Sequence, residues 1–279
     1  MLTIPIYQVD AFTDRAFAGN PAAVCVLDRP LTAETMQAIA AEMNLSETAF
    51  VQKVDTGAAR APARYGLRWF TPRAEVDLCG HATLATAAVL FGEQGLKVDQ
   101  VEFETRSGTL VARRRSAGIQ LEFPSDPPES YTLPPLVATA LGSPQILAVA
   151  RSPKLGMVLI ELESAQKVAE MRPDMRVLEA ASARAGGMGF IVTAKGPAPN
   201  DFCSRFFAPG LGVDEDPVTG SSHTVMTPYW AQRLSKTALR ARQLSARGGD
   251  LWVELLPRER VGITGQAVVV LSGQLRLDV

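Results

Sequence analysis

The sequence predicts an α+β protein of two similar domains, each a curled, mostly antiparallel sheet around a central apolar helix. Three observations support this fold class: the 279-residue length suits two domains, segments recur at nearly half the chain length, and each half contains strands before a helix of small apolar residues. We expect a pseudo-twofold axis to relate an N-terminal domain, residues 1–123, to a C-terminal domain, residues 124–279. Whether the last C-terminal strand joins the first domain is left open.

Two segments of the chain are similar to each other. RWFTPRAEVD begins at Arg68 and RFFAPGLGVD begins at Arg205, an offset of 137 positions (205 − 68). Both read Arg, aromatic, Phe, any residue, Pro, and then Val-Asp four residues after the proline. FVQK from Phe50 also aligns with FIVT from Phe190, at an offset of 140 (190 − 50). Two matches at nearly one offset indicate a duplicated unit.

The first half reads as helices alternating with strands. TAETMQAIAAEMN predicts an amphipathic helix with Thr32 as its N-cap and Asn44 as its stop. ETAFVQKV and YGLRWF predict strands, and GHATLATAAVLFGEQG predicts a helix without a polar face, which is typical of a buried helix. QVEFETRSGTLVARRRSAGIQLEFP predicts paired strands with turns at Ser-Gly and Ala-Gly.

The second half repeats this order. The pattern predicts a strand in GMVLIELES, a helix between Pro173 and Ala185, strands in GFIVTA and DFCSRFF, and a helix that begins at GSSH and contains Pro228. The charge-free run of residues 130–150 is interpreted as a loop and a short helix. Its three prolines and Gly142 would break a helix exposed to lipid.

Composition argues against several classes of function. The 28 basic and 29 acidic residues nearly balance and form no basic run, so nucleic acid is not an expected partner. Three widely spaced cysteines without a CxxC pair, and two histidines, predict neither a disulfide framework nor a metal site. The sequence contains no GxGxxG motif, the pattern that would indicate a dinucleotide cofactor. Because the N-terminus lacks an export signal, we expect a cytoplasmic protein. The prolines and glycine in the charge-free run predict no membrane partner.

The loops before the two apolar helices, CGH in the first half and TGS in the second, occupy matching positions. Free N–H groups and the helix dipole make a helix start an anion site, and glycine lets a ligand approach the backbone. If the domains face each other, both helix starts meet in one cleft that suits a small carboxylate substrate. The substrate-binding candidates are Cys79, Gly80, Thr219, Gly220, Ser221 and Ser222.

Glu47 is the candidate general acid or base. Strand alternation places it on one face with Leu45, Ala49 and Val51, where burial would raise the pKa of its carboxyl group. The alternative is an edge-strand glutamate that leans into solvent. The residue that matches Glu47 at the 140 offset is Gly187, so the duplicated scaffold does not itself need an acid there.

Two further residues are catalytic candidates. His81, in the first turn of its helix, could act as an acid, a base or a polar anchor, or bond a nearby carbonyl. Asp216 could cap a helix or accept from a substrate amine or hydroxyl, or it could belong to an ordinary Asp-Pro turn. Ser221 could donate to a substrate oxygen or serve only as a helix cap.

Cys79 has two interpretations. A thiol at a helix start can have a lowered pKa and act as a base, whereas a buried thiol is usually a packing residue. The matching residue is Thr219, which argues against a racemase with two symmetric thiols. His223 is interpreted as a residue that supports the site from behind or lies on the surface.

Four motifs follow one another along the chain: AGNPAAVCVL from Ala18, MNLSETAFV from Met43, DLCGHATLATA from Asp77 and DEDPVTGSSH from Asp214. They resemble the motifs of the phenazine-biosynthesis (PhzF-like) isomerase family, which shares its fold with diaminopimelate epimerase. The resemblance implies a cofactor-independent isomerase of two similar domains, usually a homodimer.

The resemblance also assigns roles. It implies that Glu47 is the acid/base, that His81, Asp216 and Ser221 hold the substrate and assist proton movement, and that Gly80 and Gly220 lie beside its carboxylate. In diaminopimelate epimerase each half supplies a cysteine. Here only Cys79 is present, which fits the PhzF-like branch.

The sequence therefore predicts an isomerase that acts on a small carboxylate-bearing substrate. Glu47 would remove a proton from an activated carbon and return it elsewhere, while helix-start N–H groups stabilise the developing charge. One alternative is an epimerase or racemase of a small amino or hydroxy acid, with Cys79 or Asp216 opposite Glu47. Another is a non-catalytic protein that binds small molecules.

Overall fold

The structure is a computed structural model that describes residues 1–54, 63–185 and 189–277. The chain divides into two compact units. Unit 1 comprises Met1–Glu122 and Thr264–Val279, and unit 2 comprises Phe123–Ile263. The C-terminal segment therefore packs with the N-terminal unit, the assignment that the sequence left open. Gly187, the predicted counterpart of Glu47, lies outside the described residues.

Unit 1 contains strands and two helices in mixed order. Its elements are β1 (Leu2–Ala11), β2 (Asn20–Leu27), α1 (Ala33–Met43), β3 (Glu47–Lys53), β4 (Ala63–Phe70), β5 (Glu75–Val76), α2 (Gly80–Phe91), β6 (Gln100–Thr105), β7 (Gly108–Arg115) and β8 (Gly118–Pro124). β2 pairs with β1 antiparallel and with β3 parallel. β4 pairs with β3 antiparallel and with β6 parallel, and β6, β7 and β8 continue antiparallel.

Unit 2 contains a second series of elements. They are β9 (Glu129–Ser130), α3 (Pro135–Ala140), β10 (Ile146–Arg151), β11 (Val158–Leu162), α4 (Ala165–Glu170), α5 (Met175–Ala185), β12 (Phe190–Lys195), β13 (Phe202–Ala208), β14 (Val213–Asp216), α6 (Gly220–Leu234), β15 (Ala238–Gln243), β16 (Gly249–Leu256) and β17 (Arg260–Gly265). A short 3₁₀ turn over Pro209–Leu211 precedes β14. The last strand, β18 (Ala267–Leu277), returns to unit 1 and pairs antiparallel with β1.

The two units share one order of strand pairing. β11 pairs with β10 antiparallel and with β12 parallel, as β2 does with β1 and β3. β13 pairs with β12 and β14 antiparallel and with β15 parallel, as β4 does with β3, β5 and β6. The strand pairing in each unit is thus mixed, and antiparallel pairs predominate among the described pairings. The pseudo-twofold relation itself stays a prediction.

Each repeat also carries the same bidentate ion pair. Arg68 donates from Nε and Nη2 to the two carboxylate oxygens of Glu75, at 2.6 and 2.8 Å. Arg205 donates in the same way to Glu215, at 2.7 and 2.8 Å. In unit 1 the pair joins β4 to the short strand β5, and in unit 2 it joins β13 to the short strand β14. Each short strand lies just before the buried helix of its unit. This fork-on-fork geometry holds that short strand in one orientation.

The helix predictions are confirmed. Thr32 caps α1 by accepting from the Thr35 N–H, and Asn44 ends the helix in a left-handed conformation. In α2 the described side chains are buried on almost every face, as a helix without a polar side requires. The run of residues 130–150 contains the predicted loop and short helix, α3, but its end forms β10, which the sequence analysis missed.

In the described part of the chain, no helix combines the length and the apolar composition that crossing a membrane would require.

Candidate active site

Glu47 is the first residue of β3, which lies between β2 and β4. It pairs in parallel register with Ala22, and its side chain is 19% exposed. The alternative of an edge-strand glutamate is therefore wrong, because β3 has a neighbour on each side. Thr48 and Ala49, which point to opposite faces of the strand, are both buried. Neighbouring elements thus cover both faces near Glu47.

The start of α2 brings two side chains to this carboxylate. His81 Nε2 lies 3.2 Å from Glu47 Oε2, and the His81 side chain is only 7% exposed. On the other edge of the ring, His81 Nδ1 lies 3.5 Å from Cys79 Sγ. The structure therefore contradicts the interpretation that His81 only bonds a nearby carbonyl, because its ring contacts Glu47 and Cys79. Three chemically active groups instead form one cluster, in which Cys79 and His81 are buried and Glu47 is partly exposed; we call it the Glu47–Cys79–His81 cluster.

The cluster shifts the pKa of each member. Burial acts to raise the pKa of Glu47, but the positive charge and polar contact of His81, with the thiol of Cys79, lower it below its usual value. The expected rise in the pKa of Glu47 is therefore wrong. Burial alone would lower the pKa of His81, but its acidic neighbours Cys79 and Glu47 raise it well above the usual value. A carboxylate beside an imidazolium is the resulting state.

Cys79 differs from a reactive helix-start thiol. Burial, together with the negative charge of Glu47, raises the pKa of its thiol. The predicted alternative of a low-pKa base is therefore wrong for Cys79, because burial and, after it, the neighbouring carboxylate outweigh the effect of the helix start. The thiol is neutral and contacts the ring of His81. It can accordingly orient the ring and fix which nitrogen faces Glu47.

The same three side chains are of the types that bind metal ions. Each offers one ligand atom, and these sulfur, nitrogen and oxygen atoms lie within 4.8 Å of one another. The sequence predicted no metal site because the cysteines are far apart along the chain. The fold instead brings the imidazole of His81 and the carboxylate of Glu47 close to one of these cysteines, Cys79.

Both buried helices begin without a capping side chain. The N-cap of α2 is Cys79, with an extended backbone at φ −144° and ψ 113°, and its thiol makes no capping hydrogen bond. The N-cap of α6 is Thr219, at φ −108° and ψ 101°, also without one. The reading of Ser221 as the cap is therefore wrong. First-turn N–H groups that no N-cap side chain occupies are suited to an anion.

The loop between β14 and α6 in unit 2 is held by hydrogen bonds within the unit. Asp216 Oδ2 accepts from Thr219 Oγ1 at 2.5 Å. Gln243 accepts from the Thr219 N–H at 3.0 Å and donates to the Asp216 carbonyl at 2.7 Å. Gln243 is fully buried and was missed by the sequence analysis. Its signal was present, because it falls in phase with the buried Leu239 and Ala241 along β15.

Two side chains in the first turn of α6 turn back onto the helix. The Ser222 hydroxyl donates to the Thr219 carbonyl at 2.8 Å, and Ser222 is fully buried. His223 is also fully buried, so its assignment to the surface is wrong. Its Nδ1 donates to the Thr219 carbonyl at 2.8 Å, and burial lowers its pKa to about 4. His223 therefore stays neutral and supports the loop from behind.

Each unit braces the loop before its buried helix with a serine. Ser107 Oγ donates to the Asp77 carbonyl at 2.5 Å, and Ser245 Oγ donates to the Pro217 carbonyl at 2.7 Å. In each case the acceptor lies two residues before the N-cap. The serines follow β6 and β15, which hold the same place in the two pairing orders. Neither brace was predictable from the sequence, since a loop serine carries no periodic signal.

Comparison with known proteins gives consistent matches over the whole chain. The family described as PhzC-PhzF, phenazine biosynthesis-like protein, matches residues 9–273. An uncharacterized isomerase of Pseudomonas aeruginosa is 49% identical over 277 residues, which cover 99% of this chain and 100% of the relative. The crystal structure of a PhzF-family phenazine biosynthesis protein from Enterococcus faecalis has a TM-score of 0.91 at 42% identity and covers 99% of this chain and 100% of that chain.

A more distant similarity concerns the fold alone. The structure of a hydroxyproline epimerase from Agrobacterium vitis, solved with bound trans-4-hydroxy-L-proline, has a TM-score of 0.59 at 13% identity. It covers 99% of this chain and 93% of the epimerase chain. The fold is therefore shared with an epimerase.

Proposed function

The chain belongs to the phenazine biosynthesis-like (PhzC-PhzF) family and is an isomerase, and we propose that Glu47 is its proton-transfer group. The substrate in this proposal is a small molecule with a carboxylate beside the carbon that loses its proton. The single observation that carries the proposal is the buried contact of 3.2 Å between Glu47 Oε2 and His81 Nε2.

The charge state of this pair suits proton removal. Because the pKa of Glu47 is lowered, its carboxylate is ionised and can accept a proton at neutral pH. Because the pKa of His81 is raised, the imidazolium offers a positive charge and a proton beside that base. Glu47 takes the proton from carbon, and the charge that develops on the substrate is stabilised by His81 and by the N–H groups at the start of α2. Return of the proton to another carbon completes the isomerisation.

Among the described residues, the position of Cys79 favours this scheme over epimerisation with Cys79 as the second base. Epimerisation needs two groups on opposite faces of one carbon, whereas Cys79 contacts the same imidazole ring that Glu47 contacts. Its raised pKa also makes the thiol a poor base.

We retain three residues of unit 2 as proposed substrate-binding groups. Asp216, Gly220 and Ser221 carry the family signature, and the start of α6 has N–H groups that no N-cap side chain occupies. Replacing Asp216 by Asn is expected to raise KM. A homodimer in the cytoplasm, without a bound cofactor, is part of the same proposal.

The experiment is exchange of carbon-bound hydrogen in deuterated water. Purified protein is incubated with a panel of small carboxylates, namely α-amino acids, hydroxy acids and cyclic unsaturated acids, and deuterium incorporation is followed by NMR. The wild type should label at least one member, and Glu47→Gln should slow labelling by about 10²- to 10⁴-fold.

A matched control is Glu102→Gln. Glu102 is another glutamate of unit 1 with a 17% exposed side chain, and Arg64 contacts it at 2.9 Å. This variant should label at the wild-type rate. Equal labelling by the wild type and Glu47→Gln would exclude Glu47 as the base. Saturable binding of a panel member without any labelling would favour the non-catalytic alternative.

A further inference from the structure

We propose that the Glu47–Cys79–His81 cluster is also a binding site for a thiophilic divalent cation such as Zn²⁺, and that the bound ion inhibits the enzyme. The proposal that the ion binds rests only on the geometry of the cluster. The proposal that it inhibits rests in addition on the proposed role of Glu47 and His81 in proton transfer.

The donor set fits zinc. Thiolate, imidazole and carboxylate are the three side-chain ligands that Zn²⁺ takes, at about 2.3, 2.0 and 2.1 Å, which puts tetrahedral ligand atoms about 3.3–3.8 Å apart. The ligand atoms of the cluster lie within 4.8 Å of one another, and Cys79 Sγ is 3.5 Å from His81 Nδ1. Glu47 now faces the other ring nitrogen, Nε2, so its side chain turns toward Nδ1 to complete a three-ligand site, with the fourth position left to water.

The ligands are held in place before any ion arrives. Cys79 and His81 stand two residues apart at the start of α2, and Glu47 is fixed at the first position of a central strand. In the described part of the chain, Glu47 Oε2 and His81 Nε2 are buried without a well-aligned hydrogen bond, although they touch. Glu47 Oε2 therefore has a lone pair for a ligand inside a pocket where buried polar groups normally have a partner, and His81 becomes a ligand when the ion displaces a ring proton.

Charge balance selects a divalent ion. As ligands, the Cys79 thiolate and the Glu47 carboxylate carry two negative charges, and neutral imidazole carries none. A doubly charged cation neutralises them, which matters because a buried net charge is costly. The ion occupies the lone pair of the base and takes the place of the proton on His81. The cluster can then neither accept a proton from substrate nor offer the imidazolium charge.

The test measures binding of the metal alone. Chelator-treated full-length protein is titrated with Zn²⁺ in competition with a chromogenic chelator. The wild type should bind one ion per chain, and Cys79→Ser should bind it at least about tenfold more weakly, since loss of a ligand costs no less than loss of a supporting contact. Serine is a preferred helix N-cap residue, so this variant should fold. The matched control is Cys203→Ser, a buried thiol that donates to the Ala194 carbonyl, which should bind as the wild type does.

A second readout identifies the sulfur ligand. With Co²⁺ in place of Zn²⁺, the wild type and Cys203→Ser should show sulfur-to-metal charge-transfer absorption, and Cys79→Ser should lack it. Equal Zn²⁺ affinity of Cys79→Ser and the wild type, or absence of 1:1 binding by the wild type, would overturn the site. If the wild type both binds Zn²⁺ and labels a substrate, one equivalent of Zn²⁺ should abolish labelling. Undiminished labelling would overturn the proposal that the ion inhibits the enzyme. A failure of the proposed function shows instead as absent labelling in metal-free protein.

Discussion

Glu47 and His81 form a buried pair in which the carboxylate Oε2 lies 3.2 Å from the imidazole Nε2. The two residues come from the start of a central strand and the start of a buried helix, so the packing of α2 against the sheet sets their separation. Each group shifts the pKa of the other toward its charged form. This reciprocal effect has consequences for activity that can be measured.

The pair predicts a broad pH range of activity. The lowered pKa of Glu47 places the loss of activity in acid below the usual glutamate value of about 4.3. The raised pKa of His81 places the loss in base above the usual histidine value of about 6.5. The rate of deuterium exchange, measured against pH under kcat/KM conditions, should therefore stay level across the interval between these values.

Removal of the imidazolium should move the acid limb of this profile. In His81→Gln the charge that lowers the pKa of Glu47 is gone, so burial prevails and the pKa rises. The acid limb of the residual activity should then shift toward neutral pH. His223→Asn serves as the control, because His223 is neutral and its donor role toward Thr219 can be kept by an amide. An unmoved acid limb in His81→Gln would show that the pair does not set the pKa of Glu47.

Substitution of Cys79 should separate isomerisation from epimerisation by two bases. A thiol that only orients His81 can be replaced at modest cost, so Cys79→Ala should lower the exchange rate by less than about tenfold. A thiol that transfers a proton would cost about 10²- to 10⁴-fold. Exchange rates of the two proteins, with chiral chromatography of the product, decide between these outcomes. Cys79→Ser should lie closer to the wild type than Cys79→Ala, since a hydroxyl can still contact the ring.

Gln243 should be essential for the conformation of the unit 2 loop. Gln243→Leu keeps the size of the side chain but leaves the buried Thr219 N–H and the Asp216 carbonyl without this partner. We expect a loss of about 1–3 kcal/mol in the free energy of unfolding, measured with urea. Gln94→Leu is the control, because Gln94 is exposed and its side chain donates only to the Tyr7 hydroxyl among the described residues. Wild-type stability in Gln243→Leu would show that the loop does not depend on this side chain.

The two serine braces predict matched effects in the two units. Ser107→Ala and Ser245→Ala each remove one hydrogen bond to the loop before a buried helix. Each should lower the free energy of unfolding by about 0.5–1.5 kcal/mol. Hydrogen exchange of the loop amides, read by mass spectrometry, should increase near Asp77 in the first variant and near Pro217 in the second. Increased exchange distributed over the whole chain would contradict a local brace.

Much of the fold could be predicted because its signals are local. The cap residues Thr32 and Asn44 and the all-apolar α2 are encoded by neighbouring positions, and the structure confirms them. The recurrence from Arg68 to Arg205 indicated the duplication, and the pairing order of both units agrees with it. β10 was missed because Ile146–Arg151 is a short apolar run, which does not distinguish a strand from a helix.

The site was predicted only in part. By itself, the sequence determined which residues were candidates: an acid in phase with an apolar strand face, and a histidine and a cysteine at a helix start. Only the tertiary structure decided that these three meet, that the pKa of Glu47 falls where burial alone would raise it, and that Cys79 is a neutral thiol. The reason is physical: periodicity is written in adjacent residues, whereas a pKa depends on charges brought close by packing from distant parts of the chain.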